Sequence, residues 1–154
     1  MDIYDYLKMD HKKVAKLFDL YKTATSQKNK MEIMLMINEE LMLHADAEAN
    51  TFYKALAQYR KSAEEVLHGE EEHEEIKQKL KEIVNLKSIN ANFEKKVFEL
   101  KSMVDHHVSD EEGNIFNIAK KVLSEREALV LKEQMHDYKE KMWHTLEVEQ
   151  EELI

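Results

Sequence analysis

Apolar residues recur at intervals of three and four along most of this chain, and that spacing places side chains on one face of an α-helix. The 154 residues include no proline and only two glycines, so little in the sequence would end a helix early. Polar segments at residues 25–29 and 87–90 separate some of the periodic stretches. The pattern predicts helices near residues 2–24, 30–59, 63–86, 91–123 and 125–150.

The connections between the predicted helices are short, which favours antiparallel packing of helices that follow one another in sequence. Two helices are expected to begin with a capping box, the pattern Ser-x-x-Glu, at Ser62 and Ser124. No change of composition marks an internal boundary, so residues 1–154 are expected to form a single domain. The predicted fold is all-α, an antiparallel up-down four-helix bundle with an additional C-terminal helix.

Each apolar stripe of the four bundle helices is interrupted once, near its middle. The interruption is a single His in the first and third helices, at His11 and His73. In the second and fourth helices it is a His followed four residues later by a Glu. These pairs are His44 with Glu48 and His107 with Glu111. A lone His on an apolar face is usually a hydrogen-bonded core residue, but four aligned interruptions indicate a metal site.

The two carboxylates in these stripes need a compensating positive charge. Moving an ionised carboxylate into a low-dielectric interior costs several kcal/mol, about the size of a domain's net stability, unless it is paired. Arg60 and Arg126 are the only arginines, and both lie near predicted helix ends. A bound cation therefore solves the problem best, and imidazole with carboxylate suits iron, manganese or zinc. Two carboxylates and four imidazoles suit two ions better than one.

The four motifs together resemble those of the hemerythrin-like family, also called the HHE cation-binding domain. The resemblance rests on Asp10-His11, the segments 44–48 and 107–112, and His73 within 72–76. It implies two iron ions bridged by carboxylate and by an oxo or hydroxo group, with manganese or zinc as alternatives. By the same resemblance Glu48 and Glu111 would bridge the irons, and the His residues would be terminal ligands.

The resemblance also implies a function, which is binding of O₂, nitric oxide or peroxide for sensing, scavenging or delivery. Oxygen carriers of this kind have two His one turn apart on the third helix, whereas here Gly69 and Lys77 stand a turn from His73. The missing fifth imidazole argues against a simple oxygen carrier. The alternatives are an enzyme that consumes peroxide or nitric oxide and an iron-responsive regulatory or iron-handling module.

Several other polar residues have the chemistry or the spacing of site groups. His106 stands five residues before Glu111, as in the carriers' His-x-x-x-x-Asp motif, but it falls on a mostly polar face, so His107 is preferred and His106 is kept as a neighbouring or gating group. His68 and Glu72 stand four residues apart, a spacing that metal ligands on a helix can have. The helix face that carries them is expected to be exposed to solvent. Three tyrosines could donate to a bound oxygen species, although core packing with a satisfied hydroxyl is the preferred interpretation: Tyr4, Tyr53 and Tyr138.

The composition limits the classes of partner and of cofactor that the chain is expected to bind. The formal net charge of −9 argues against nucleic acid and against an anionic membrane surface. The chain has no cysteine, which excludes disulfides, thiolate zinc sites and iron–sulfur clusters. No apolar run approaches the length of a membrane span, and residues 1–5 do not resemble a signal peptide. We expect a cytoplasmic monomer or homodimer that binds a small ligand, with an electron-donor protein as a candidate partner.

Overall fold

The computed structural model describes residues 1–152, with side chains up to residue 145. It is 89% helical, and the described residues contain no β-strand, so the predicted all-helical class is confirmed. The α-helices are α1 (Ile3–Thr23), α2 (Gln27–Glu48), α3 (Lys54–Leu56), α4 (Arg60–Val84), α5 (Ala91–Asp110), α6 (Phe116–Val122) and α7 (Glu125–Glu152). The last two residues of the predicted domain, 153–154, lie outside the described residues.

Short polar side chains determine where several helices begin. The Asp2 carboxylate accepts a hydrogen bond from the Asp5 backbone N–H at the start of α1. Ser26 caps α2 in the same way, so that helix begins three residues before the predicted position 30. The predicted capping box at Ser124 is confirmed, because Ser124 and Glu127 each accept from the other's backbone N–H.

The capping box predicted at Ser62 is wrong. Helix α4 already begins at Arg60, so Ser62 lies inside the helix and is buried. Its hydroxyl donates to the backbone carbonyl of Leu56, 2.5 Å away, in the segment before the helix. The Ser62 side chain therefore links α3 to α4 and does not cap the N-terminus of a helix.

Two of the predicted helices each contain a π-helical turn. The segment Ala49–Tyr53 continues α2 into α3, and Glu111–Ile115 continues α5 into α6. A π-turn contains one residue more than an α-helical turn. After it, the residues that face the core therefore lie one position later in the sequence than regular α-helical spacing predicts. For this reason Ala55, Ile118 and Val122, which the periodicity assigned to the core, are only partly buried. The residues that fill the core there are Tyr53, Leu56, Phe116, Ala119 and Leu123.

The apolar interior forms two clusters of buried side chains. One contains Leu7, Phe52, Val66 and Ile115, and the other contains Val14, Leu41, Ile76 and Val104. On each of the four long helical segments, the candidate metal residues lie between a member of one cluster and a member of the other. The order of the clusters reverses from each segment to the next. Helix α1 packs against α2, α4 packs against α5, and α7 lies against α1 and α2.

Phe116→Ala and Ile118→Ala test the shift that the second π-turn produces. Phe116 is 1% exposed, whereas Ile118 is partly exposed. We expect Phe116→Ala to lower the free energy of unfolding by about 3–5 kcal/mol and Ile118→Ala by less than about half as much. Urea denaturation of both variants measures the difference. A larger loss for Ile118→Ala is what an uninterrupted α-helix predicts, and it would contradict the π-turn.

Candidate metal centre

All six residues that the sequence singled out meet in the interior between the two apolar clusters. They come from α1, α2, α4, α5 and the first residue of the second π-turn, and each is buried. They are His11, His44, Glu48, His73, His107 and Glu111.

The six residues form two overlapping groups, each with one ligand atom per residue and all of those atoms within 4.8 Å of one another. The first group takes its imidazoles from His11 and His44, and the second takes them from His73 and His107. Glu48 and Glu111 belong to both groups. A pair of carboxylates shared between two pairs of imidazoles is an arrangement that can hold two metal ions side by side, with both carboxylates between them.

Imidazole nitrogens face the shared carboxylates at short range. His73 Nε2 lies 3.0 Å from Glu48 Oε1, and His107 Nε2 lies 3.3 Å from Glu111 Oε2. His11 Nε2 lies 3.3 Å from Glu111 Oε1. Both Glu side chains are fully buried. The ligand atoms therefore converge on a small buried volume.

Several oxygen and nitrogen atoms that could bind a metal have no hydrogen-bond partner among the described residues. They include both carboxylate oxygens of Glu48 and the Nε2 atoms of His11 and His44. A buried polar atom left unsatisfied costs about 1–3 kcal/mol, so several in one place need a common partner. A metal ion is a suitable one, because it accepts electron pairs from carboxylate oxygen and imidazole nitrogen alike.

The carboxyl groups differ in their affinity for protons. Burial, followed by the negative charge of Glu111, raises the pKa of Glu48 well above its ordinary value. Burial would also raise the pKa of Glu111, but the imidazoles of His107 and His11 beside it hold that pKa well below its ordinary value. Without a cation, the pair thus resists carrying two negative charges. A divalent ion between them relieves that repulsion and stabilises both ionised forms.

Three of the four imidazoles are oriented by a carboxylate on the outer ring nitrogen. His11 Nδ1 lies 2.7 Å from Glu112 Oε2, and His44 Nδ1 lies 2.8 Å from Asp10 Oδ2. His107 Nδ1 lies 3.0 Å from Glu72 Oε1. A carboxylate that accepts from Nδ1–H fixes the tautomer with the lone pair on Nε2, the nitrogen that faces the centre.

The His44 pair extends to the C-terminal helix. Lys139 of α7 donates to both oxygens of the buried Asp10 carboxylate, at 2.7 and 2.8 Å. Burial would raise the pKa of Asp10, but the hydrogen bond and charge of His44, together with Lys139, lower it from 3.8 to about 2. Asp10 therefore stays ionised and anchors both His44 and α7.

The pKa values of His73 and His107, the two imidazoles of the second group, are shifted in opposite directions. Burial and the neighbouring His107 lower the pKa of His73 to about 3, which keeps His73 neutral, as a metal ligand must be. Burial also acts to lower the pKa of His107. The hydrogen bonds and charges of Glu111 and Glu72 outweigh it and raise that pKa to about 9.

Sequence reasoning missed the carboxylates that orient the imidazoles. Asp10 directly precedes His11, Glu72 directly precedes His73, and Glu112 directly follows Glu111. The available signal was that each is the sequence neighbour of a candidate ligand, although Asp10 and Glu72 contact an imidazole of a different helix. In a chain with 32 acidic residues, that signal does not distinguish them from solvated neighbours.

The other candidates lie mostly outside the centre. The His106 side chain is 74% exposed and approaches Glu72, while exposed His68 lies near Glu72 and Asp110. Tyr4 packs edge-on against Phe52 and Phe116 in the core. The Tyr138 hydroxyl accepts a hydrogen bond from Asn50. Tyr53 alone among the three tyrosines contacts a candidate ligand, Glu111.

A small cavity adjoins the imidazoles on the side of the second apolar cluster. Its volume is about 20 Å³. Apolar side chains form much of its wall, namely Val14, Leu41, Ile76 and Val104, together with all four imidazoles of the centre. Lys77 also lines it and forms an ion pair with Asp46, with a distance of 3.0 Å.

The sequence pattern of the hemerythrin HHE cation-binding domain matches residues 2–119. The chain belongs to the hemerythrin HHE cation-binding domain family. The matched segment contains all six candidate ligands and ends before α7. Membership makes this a metal-binding helical domain, as the resemblance of the motifs predicted.

Proteins similar to this HHE domain include a solved structure and a protein named as a DNA nickase. The crystal structure of a hemerythrin HHE cation-binding domain-containing protein from Mycobacterium kansasii superposes with a TM-score of 0.79 at 18% identity, over 96% of this chain and 93% of that one. At that identity the similarity shows the fold. A DNA nickase from Nostoc sp. is 29% identical over 125 residues, which are 80% of this chain and 35% of the nickase.

No helix within residues 1–152 has the length and apolar character needed to cross a membrane.

Asp10→Asn tests whether the carboxylates on the outer nitrogens support metal binding. The change keeps the size of the side chain but removes the charge that holds the His44 ring and Lys139. We expect the affinity for metal to fall about 10- to 100-fold, measured by competition with a chelator. The control Asp19→Asn changes an exposed aspartate of the same helix. Equal affinities for the two variants would show that Asp10 has no such role.

Proposed function

We propose that this HHE domain binds two iron ions and that the centre takes up O₂, nitric oxide or peroxide, for sensing, scavenging or delivery. The observation that carries the proposal is the pair of overlapping ligand groups, which share Glu48 and Glu111 and differ in their imidazoles. Four His and two Glu residues are the proposed ligands, with Glu48 and Glu111 bridging. Iron fits a donor set of imidazole and carboxylate, as do manganese and zinc, the alternative metals.

Iron, when bound, would supply redox chemistry and affinity for oxygen-containing or nitrogen-containing diatomic ligands. The protein's part is to orient the donors and to exclude water. Glu112, Asp10 and Glu72 hold three of the imidazoles with Nε2 directed inward. The apolar side chains beside the imidazoles keep bulk water away from the centre.

The size of the adjoining cavity supports a small ligand. A cavity needs about 10–15 Å³ on this measure to hold one water molecule, and this one has about 20 Å³. A ligand of two or three heavy atoms matches that space, whereas an organic substrate would be too large. Its apolar wall favours an uncharged ligand such as O₂, nitric oxide or hydrogen peroxide.

The proposed architecture is the antiparallel up-down four-helix bundle with α7 added. Two observations support it: the connections at 24–26, 57–59 and 85–90 are short, and the order of the two apolar clusters reverses from one long helical segment to the next. The proposal retains the expected cytoplasmic location, the electron-donor protein as a candidate partner, and a monomer or homodimer.

An enzyme that consumes peroxide or nitric oxide remains the second candidate. The missing fifth imidazole favours it over an oxygen carrier, since Gly69 contributes no donor on α4. DNA nicking, the activity named for the Nostoc protein, gains little support here. This chain spans about a third of that protein, and its net charge of −9 repels a phosphate backbone.

Glu48→Ala and Glu111→Ala test the function directly. Iron-loaded wild-type protein should bind nitric oxide or react with hydrogen peroxide, and both activities should fall at least 10-fold in each variant because the shared carboxylate is lost. His68→Ala, which removes an exposed imidazole outside the centre, should behave as wild type. Many turnovers of peroxide per chain would identify the enzyme, and one equivalent bound per centre would identify the binding protein. Unchanged reactivity in both Glu variants would remove this site from the function.

Thermal melting with and without iron tests the iron-responsive alternative and metal-coupled folding. An ion that binds only the folded chain stabilises it by about 2.7 kcal/mol when its free concentration is 100 times Kd. We therefore expect the melting temperature to fall when a chelator removes the metal, and to respond little to chelator in Glu48→Ala. Identical melting curves for wild-type protein with iron and with chelator would exclude coupling between metal and folding.

A further inference from the structure

Gly69 on α4 faces an aromatic ring at very short range. A Cβ atom built on Gly69 would lie 2.7 Å from the hydroxyl oxygen of Tyr53 and 2.9 Å from its Cζ atom. Any other residue would force that ring to move. A Cβ atom built on the second glycine, Gly113, would have no neighbouring atom within 4 Å. Gly69 therefore leaves space that Tyr53 occupies, although glycine in a helix interior is less stable than alanine.

Tyr53 uses this space to reach the metal centre. It is fully buried at the end of the first π-turn. Its hydroxyl donates a hydrogen bond to Oε2 of Glu111, the first residue of the second π-turn. Its ring stacks on the imidazole of His73, with the centroids 5.2 Å apart and the planes 20° from parallel. One side chain thus contacts two candidate ligands of the same group.

Among the described residues, no carboxylate contacts the outer nitrogen of His73, in contrast to the other three imidazoles. His11, His44 and His107 each have one within 3.0 Å. For His73, the contacts among the described residues involve Nε2, which faces Glu48 and His107. The Tyr53 ring stacks on the His73 imidazole and is therefore in a position to orient it.

We propose that Tyr53, seated in the space that Gly69 leaves, is a positioning residue of the metal centre. It holds the plane of the His73 ring by stacking and directs the Glu111 carboxylate by its hydrogen bond. The proposal rests on the proposed function and deepens it. At Gly69 the absence of a side chain leaves room for a phenol from a neighbouring helical segment.

Tyr53→Phe is the sharpest test, because it removes the hydroxyl and keeps the ring that stacks on His73. Ferrous iron is titrated into metal-free full-length protein against a competing chelator. We expect the ion held by His73 and His107 to bind about 10- to 100-fold more weakly, while the other ion is affected less. The matched control is Tyr4→Phe, since Tyr4 is a buried tyrosine that packs against phenylalanines away from the centre. Tyr4→Phe should bind both ions with wild-type affinity.

Gly69→Ala supplies a second, independent perturbation. Its new methyl group would displace the tyrosine ring and should weaken the same binding step as Tyr53→Phe. Gly113→Ala, with open space at that position, should bind iron as wild type does. The two changes act on one interaction, so Gly69→Ala combined with Tyr53→Phe should weaken binding by less than the product of the separate effects. Thermal melting of the metal-free variants separates loss of folding from loss of positioning.

Three outcomes would overturn the proposal. Wild-type affinities for both ions in Tyr53→Phe would show that the hydroxyl does not position Glu111. A phenolate-to-iron charge-transfer absorption in the ferric protein, lost in Tyr53→Phe, would show that the oxygen is itself a ligand. Wild-type protein that fails to bind two ions would refute the proposed function, and this inference with it; the first two outcomes refute the inference alone.

Discussion

Glu48 and Glu111 place two fully buried carboxylates within 4.8 Å of the same two pairs of imidazoles, between the two apolar clusters. Their mutual repulsion and their desolvation are both unfavourable, and the surrounding residues are arranged to offset them. Imidazoles from four helices face the pair, and carboxylates or an aromatic ring hold those imidazoles. A cation completes this arrangement by neutralising the charge on both Glu side chains at once. The apolar clusters on either side then stabilise the helices that carry the ligands.

The two π-turns connect the ligand positions to the packing around them. Each begins at or directly after a shared Glu, and each moves the buried face by one residue. Tyr53 and Phe116 become core residues for this reason, although regular helical periodicity places neither on the apolar stripe. The first π-turn thereby supplies the tyrosine that contacts Glu111, so the irregular helix geometry is part of the centre.

Most of the centre could be predicted from the sequence, because a polar residue stands out on an apolar stripe. His11 and His73 each break a run of buried residues at helical spacing, and the pair His44 and Glu48 recurs at His107 and Glu111. Asp10 and Tyr53 could not be assigned in the same way. Their roles depend on contacts between helices, and no period within one helix encodes such a contact. Ser62 shows the opposite error, since a local capping pattern was overridden by tertiary packing.

Metal analysis of protein purified without added metal is the most direct test of the account. The shared carboxylates and the two imidazole pairs predict two iron ions per chain. The visible spectrum of the oxidised protein should then carry the charge-transfer absorption of a bridged ferric pair. One ion per chain, or a metal-free protein that takes up no iron when it is supplied, would contradict the central claim that Glu48 and Glu111 hold two ions between them.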